Sequence, residues 1–263
     1  MPFYSIAICN SVVAYGGPEF YLLTTPDCQT ADLFYRFLQT YPQTSHMCRF
    51  TYFETLSAQM WRFVASRPQG LPDVVTGLSA GQISINDNRF KSLIGRVILH
   101  RYSAPHSPFD TAHIPPAIIP HLDRPAHISG GEFYIRDKFD HKLFWTTSGK
   151  FITARTANQE PTKFRIELAD NAIRANTTGT PLMIESDGVR ITAFHGFDQV
   201  TSLGPVSHRS MGDGEGLMTL EASQHEPTVF QFGAFNSGFY LDRTSAMTYD
   251  PTCVHGQQWE LVA

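Results

Sequence analysis

Three sets of residues in this chain have types and spacings that could do chemistry. Gly77-Leu-Ser79-Ala-Gly81 has the spacing of a nucleophile elbow, with Val74-Val-Thr76 before it as a candidate strand. An elbow presents its serine on a sharp strand-to-helix turn, and the helix that follows supports the oxyanion. Gln82-Ile-Ser-Ile-Asn-Asp-Asn88 reads as strand and then turn, so that support is missing and the glycines read as ordinary turn residues. His106, His113, His121 and His127 lie six to eight residues apart in a proline-rich stretch. Metal sites use tighter pairs, so these read as solvated histidines. Cys9, Cys28, Cys48 and Cys253 carry neither metal-ligand spacing nor a recognisable catalytic motif, and they read as reduced thiols. From these residues no catalytic set, cofactor or metal is assigned.

The elements that would position such groups divide the chain in three. Hydrophobic residues make up 42% and charged residues 17% of 263, enough apolar material for two modest domains. Aromatic residues reach 13%, led by 20 Phe, and 19 Gly with 17 Pro favour short strands joined by tight turns. Residues 1–102 read as a small α+β domain. Phe3–Tyr15 and Glu19–Thr24 are strands, and Ala31, Leu33, Phe34, Phe37 and Leu38 mark one helix face. Tyr52, Phe53, Leu56, Met60, Trp61 and Val64 predict a second helix over Thr51–Ser66. Arg67-Pro-Gln-Gly-Leu-Pro72 ends it, and Asp73–Asp87 and Arg96–Tyr102 return to strand. Residues 103–130, with six prolines among the four histidines, read as an extended linker.

From residue 131 the chain reads as all β. Strands are predicted at Glu132–Arg136, His141–Thr146, Lys150–Ala154, Lys163–Leu168, Pro181–Glu185, Gly188–Phe194, Gln199–Leu203, Leu217–Leu220, Val229–Phe232, Gly238–Asp242 and Gln257–Val262. These fall into three groups of about 40 residues. Gly149-Lys-Phe-Ile-Thr153, Gly188-Val-Arg-Ile-Thr192 and Gly238-Phe-Tyr-Leu-Asp242 occupy matching places in them. Near the end, Asn236-Ser-Gly-Phe-Tyr-Leu-Asp242 is followed by Tyr249 and then Gly256-Gln-Gln-Trp-Glu-Leu-Val262. In such a pattern Trp259 fills a core, while the amide of Gln257 satisfies backbone groups that a tight turn leaves unpaired.

That closing stretch resembles one repeat of a ricin-B-type β-trefoil, with its Gly-x-x-Leu-Asp strand and its Gln-x-Trp. The resemblance implies a mainly β protein: an α+β domain at 1–102, a linker at 103–130 and a β-trefoil over 131–263. It also implies a lectin-like chimera (a chimerolectin) of the kind used in defence. By position Asp242 would accept hydrogen bonds from sugar hydroxyls, Tyr249 would stack on the sugar face, and His255 would stand where an asparagine is usual. Gln257 and Trp259 would be structural. Thr153 and Thr192 replace the carboxylate in the other two groups, so one site of three would be equipped. The plainer alternative is that Asp242 caps a turn and Tyr249 covers core.

The implied partners are glycans or glycoproteins, with a homodimer as one arrangement. Two other function classes stay open. One is a protease inhibitor acting through exposed loops, since Glu132-Phe-Tyr-Ile-Arg136 behind Gly130-Gly131 is similar to the opening of small β-trefoil inhibitors. The other is an enzyme in the N-terminal domain targeted by the C-terminal one. Net charge is −4 with a pI near 6.2 and no basic cluster, which argues against nucleic acid. No run of 18 apolar residues offers a membrane span. Met1-Pro-Phe-Tyr-Ser-Ile-Ala-Ile-Cys-Asn10 lacks the basic start of a signal peptide, so a cytoplasmic protein is expected.

Overall fold

The computed structural model describes residues 2–12, 18–41, 48–83, 85, 87–101, 126–156, 161–176, 179–195, 199–207, 218–223, 228–242, 245–250, 252–253 and 256–263. The chain divides into two compact units, Met1–Ala126 with Ala172–Leu182, and His127–Asn171 with Met183–Ala263. The stretch expected as a linker over 103–130 lies outside the described residues as far as 125.

The first unit is a five-stranded sheet with two helices. Its elements are β1 (Phe3–Ser11), β2 (Glu19–Thr25), α1 (Cys28–Thr40), β3 (Phe50–Ser57), β4 (Met60–Ala65), α2 (Gly70–Ser79) and β5 (Ile98–Arg101), in sheet order β3-β4-β1-β2-β5. β1 and β4 are parallel and the other neighbours antiparallel. Helix α1 starts where Asp27, in extended conformation, accepts the N–H and the hydroxyl of Thr30, each at 2.7 Å. Ala31, Phe34, Tyr35 and Leu38 form its buried stripe, and the Tyr35 ring lies 4.9 Å from that of Trp61. On the same helix Arg36 donates to the carbonyl of Leu182, and Gln39 donates to that of Thr180 at 3.1 Å.

Two expectations for this unit are corrected. Thr51–Ser66 is a hairpin rather than a helix: Trp61, Phe63 and Ala65 alternate inward along β4, and Ser57 turns the chain by accepting the N–H of Gln59 at 3.2 Å. The Thr, Tyr, Phe, Trp and Val of this stretch suit a pleated, half-buried surface, and that outweighs their accidental helical spacing. Asp73–Asp87, expected as strand, begins inside helix α2. Pro72 lies in the first turn, where its missing N–H would have no partner in the helix, so it starts the helix instead of breaking one. Leu71, Val74, Val75 and Leu78 are the buried stripe. The helix closes with Gly81 at φ +64°, its N–H on Leu78 and that of Gln82 on Gly77 at 2.8 Å. The glycines around Ser79 therefore end a helix, and no strand leads into the serine.

The second unit is built on a closed barrel. Its strands are β6 (Gly131–Asp137), β7 (Leu143–Ser148), β8 (Phe151–Thr156), β9 (Phe164–Leu168), β10 (Gly188–His195), β11 (Gln199–Ser207), β12 (Met218–Ser223), β13 (Phe230–Gln231), β14 (Phe239–Leu241), β15 (Met247–Tyr249) and β16 (Trp259–Val262). A short helix, α3 (Asn171–Asn176), follows β9 where the chain passes from the second unit into the Ala172–Leu182 segment of the first. The order β6-β7-β8-β12-β11-β10-β9 returns to β6, and every neighbour pair in this ring of seven is antiparallel. Off the ring, β13 pairs with β10, β16 with β6, and β15 with β12, while β14 pairs with β15. Trp145, wholly buried, packs against Phe164, Phe235, Phe239 and Trp259 with ring centroids 5.1–6.0 Å apart.

The mainly β expectation agrees with this structure; the ricin-B-type trefoil does not. The three segments read as equivalent have unlike neighbours. β8 lies between β7 and β12, β10 joins β9, β11 and β13, and β14 pairs with β15. A glycine followed by alternating apolar residues reports a turn leading into a strand, which any antiparallel barrel needs, and does not report the strand's place in the ring. Pro181–Glu185 is not a strand. Asp187 instead accepts the N–H of Ile184 at 2.9 Å in a turn.

The N-cap of α1 sets a pH-dependent contribution to stability. Burial works against the Asp27 carboxylate, but the two hydrogen bonds from Thr30 and the charge of Arg96 outweigh it and hold the carboxyl below its ordinary value. A depressed folded value gives stability that is present above the ordinary carboxylate range and lost as pH falls through the folded value. Asp27→Ala is expected to cost about 1 kcal/mol at pH 7. In urea unfolding that difference shrinks towards zero in strong acid; an equal difference at pH 7 and in strong acid would contradict it.

Candidate functional site

Strand parity on β14 and β15 sorts their side chains to two faces. Phe239, Met247 and Tyr249 point into the barrel core, so Tyr240, Asp242, Ala246, Thr248 and Asp250 share the outer face, on which Ala246 and Thr248 are covered and Tyr240, Asp242 and Asp250 are partly exposed. The pairing carries that face onward: Tyr240 lies opposite Thr248, and Thr248 opposite Thr219 of β12. Two residues on, Glu221 lies opposite Phe151, and Thr153 bridges to Ala246. Three carboxylates, three threonine hydroxyls and a phenol thus lie on one side of four adjoining strands.

The groups differ in how far their bonding is satisfied. One Asp242 oxygen accepts the N–H of Ala246 at 2.9 Å, and the Asp242 carbonyl accepts the N–H of Ser245, which sits at φ +64°. Asp250 accepts the N–H and the hydroxyl of Thr252 at 2.8 and 2.7 Å. These bonds, the hydroxyl's first, hold its carboxyl below the ordinary value. The Tyr240 phenol, half-buried, is raised by that burial and then by the charges of Asp250, Cys253 and Asp242. Glu221 is buried and pairs with Lys150 at 3.3 Å. Thr248 is 0% exposed, and among the described residues its hydroxyl has no hydrogen-bond partner. A buried hydroxyl left in that state costs free energy.

The residues expected at a sugar site are dispersed. Asp242 is on this face. Tyr249, expected as the stacking ring, is 9% exposed and turned inward, edge-on to Phe230 at 5.0 Å and tilted against Phe239 at 5.1 Å. The ring on the outer face of the hairpin is Tyr240, which the sequence reading passed over although it stands two residues from Asp242. His255 lies outside the described residues. Trp259 is buried and donates to the Phe239 carbonyl at 3.2 Å, and Gln257 accepts the N–H of Leu241 at 3.2 Å. The chain before them runs so close to Ser237 that a Cβ on Gly256 would lie 1.7 Å from the Ser237 carbonyl oxygen.

The other sets of residues take different places. Ser79 ends helix α2. Burial pushes the Cys9 thiol up to about 12, with the charges of Glu19 and Cys48 adding and a hydrogen bond from the Ala65 backbone opposing, the reverse of what a thiolate nucleophile needs. His106, His113 and His121 lie outside the described residues, and His127 packs on Phe232. Among the described residues no group of three or more His, Cys, Asp or Glu could hold a metal ion, and no helix is long and apolar enough to cross a membrane. Comparison with known proteins found no matching family model, no similar curated protein and no similar solved structure.

The orphan hydroxyl makes the face testable without a ligand. Thr248→Val keeps the branched shape and removes the unpaired oxygen. It is expected to raise the unfolding free energy by about 1–3 kcal/mol in urea titration; a loss of similar size would mean that the hydroxyl is bonded.

Proposed function

We propose that the protein is a glycan-binding protein whose site is the outer face of β14 and β15. The observation that carries this reading is the placement of Tyr240 between Asp242 and Asp250 on one hairpin face, all three partly exposed. A sugar ring offers an apolar C–H face to an aromatic ring and neighbouring hydroxyls to carboxylates. Tyr240 supplies the platform, and Asp250 accepts hydrogen bonds from the hydroxyls. Asp242 holds the turn that sets the two in place and adds its charge. The chemistry is binding alone, and no group on this face is assigned a catalytic step. One such site binds weakly by itself, so useful affinity comes from repeated sugars on a glycoprotein or surface.

Truncating Asp242 would remove the acceptor for Ala246 and disturb the turn itself, so Tyr240 is the cleaner probe. On an array of mammalian, fungal and bacterial oligosaccharides, the full chain is expected to bind a defined subset. Tyr240→Ala weakens that binding about tenfold or more, as loss of a stacking contact of about 1.4 kcal/mol predicts, and leaves the unfolding midpoint close to that of the unmodified chain. An array without binding, or full affinity in Tyr240→Ala, would overturn the reading and leave the protease-inhibitor alternative to be assayed against cysteine and serine proteases.

A further inference from the structure

The turn between β6 and β7 holds a second set of groups that the β14–β15 face does not use. Phe139 at its tip is 74% exposed. A single exposed ring is ordinary on a protein surface; this one stands on a turn pinned from several sides. One oxygen of the buried Asp137 carboxylate accepts the N–H groups of Phe139 at 2.8 Å and of Asp140 at 2.9 Å. Asp140 accepts those of Lys142 at 2.7 Å and Leu143 at 3.1 Å, and the His141 N–H reaches the Asp137 carbonyl at 3.2 Å. Lys138 ties the turn to the chain before β16, with its N–H on the Gln258 carbonyl at 2.9 Å and its ammonium on the Gln258 side chain at 3.2 Å. A backbone so held loses little freedom when the side chain it carries meets a ligand.

Two residues along the same turn, His141 belongs to a polar trio with Arg136 and Glu260. Glu260 of β16 is directly opposite Arg136 of β6. Its Oε1 accepts Arg136 Nε at 2.9 Å and Nη2 at 2.6 Å, and His141 Nδ1 lies 2.9 Å from the same oxygen. All three contacts fall on Oε1 and on one imidazole nitrogen. Among the described residues no contact falls on Glu260 Oε2, an acceptor, or on His141 Nε2, a second hydrogen-bonding atom. His141 is held at φ +55°, a left-handed conformation that costs free energy in any residue with a side chain and that often marks functional sites.

We infer that Phe139, His141 and Glu260 form a second binding site, for the hydroxyl-bearing face of a sugar ring: Phe139 stacks on the C–H side, Glu260 Oε2 accepts a hydroxyl proton, and His141 Nε2 bonds the neighbouring hydroxyl. Arg136 positions the carboxylate. The ligand class rests on the glycan reading of the β14–β15 face, but the site stands on other residues and other strands. Two sites on one barrel let a branched or surface-borne glycan be held twice, which raises avidity without a new contact at either site.

The test is calorimetric titration of the full chain with lactose, chitotriose and mannotriose, beside Phe139→Ala, Glu260→Gln and Tyr240→Ala. One of the sugars is expected to bind at two sites per chain. Phe139→Ala reduces the count to one, Glu260→Gln weakens the same site about tenfold while leaving Phe139 in place, and Tyr240→Ala leaves this site filled. Binding lost in Phe139→Ala yet unchanged in Tyr240→Ala would keep this site and overturn the β14–β15 face. A single site insensitive to Phe139→Ala and Glu260→Gln, or no binding of any of the three sugars, would overturn it.

Discussion

The placement of Phe239 governs the C-terminal half of the chain. Its ring is wholly buried among Trp145, Phe230, Phe235 and Tyr249, and its carbonyl takes the indole N–H of Trp259. Side chains on a strand alternate, so fixing Phe239 inward turns Tyr240 outward and sets Asp242 on the same side. Gln257 bonds the Leu241 N–H, and Gly256 allows the close approach to Ser237, so β14 cannot slip by one residue without undoing these contacts together. The polar outer face is thus a consequence of core packing on the other side.

The same parity explains what could and could not be read from the sequence. Strands β6 to β10 stand out because their apolar residues alternate and turn residues bound them. Trp259 and Gln257 stand out because their types suit a core and a tight turn. The three-residue strand β15 does not, since Met247, Thr248 and Tyr249 are all buried and show no alternation. Without that strand the direction of Tyr249 could not be assigned, and the outer ring, Tyr240, was missed. The threefold reading went astray for a related reason: local pattern marks where strands begin, whereas the closing of β11 on β12 to complete the ring joins residues whose pairing no local pattern encodes. In the first unit Pro72 was read as a stop because prolines end helices more visibly than they start them, and the Val74-Val75 pair gave the helix a strand's composition.

Electrostatics separates the two faces proposed to bind. On the β14–β15 face the carboxylates flank a phenol, and the ion pair of Lys150 with Glu221 offsets part of their charge. On the β6–β7 turn the carboxylate is already matched by Arg136, and the acceptor that remains works as a neutral hydrogen-bonding partner would. Both arrangements would suit ligands rich in hydroxyls.

The most direct test of the central claim is a 1H–15N correlation spectrum of the full chain, titrated with the oligosaccharide that binds tightest on the array. The largest shifts are expected on Tyr240, Asp242, Thr248 and Asp250, with a second group at Phe139 and His141. Shifts confined to the five-stranded sheet of the first unit, or none at saturating sugar, would contradict that claim.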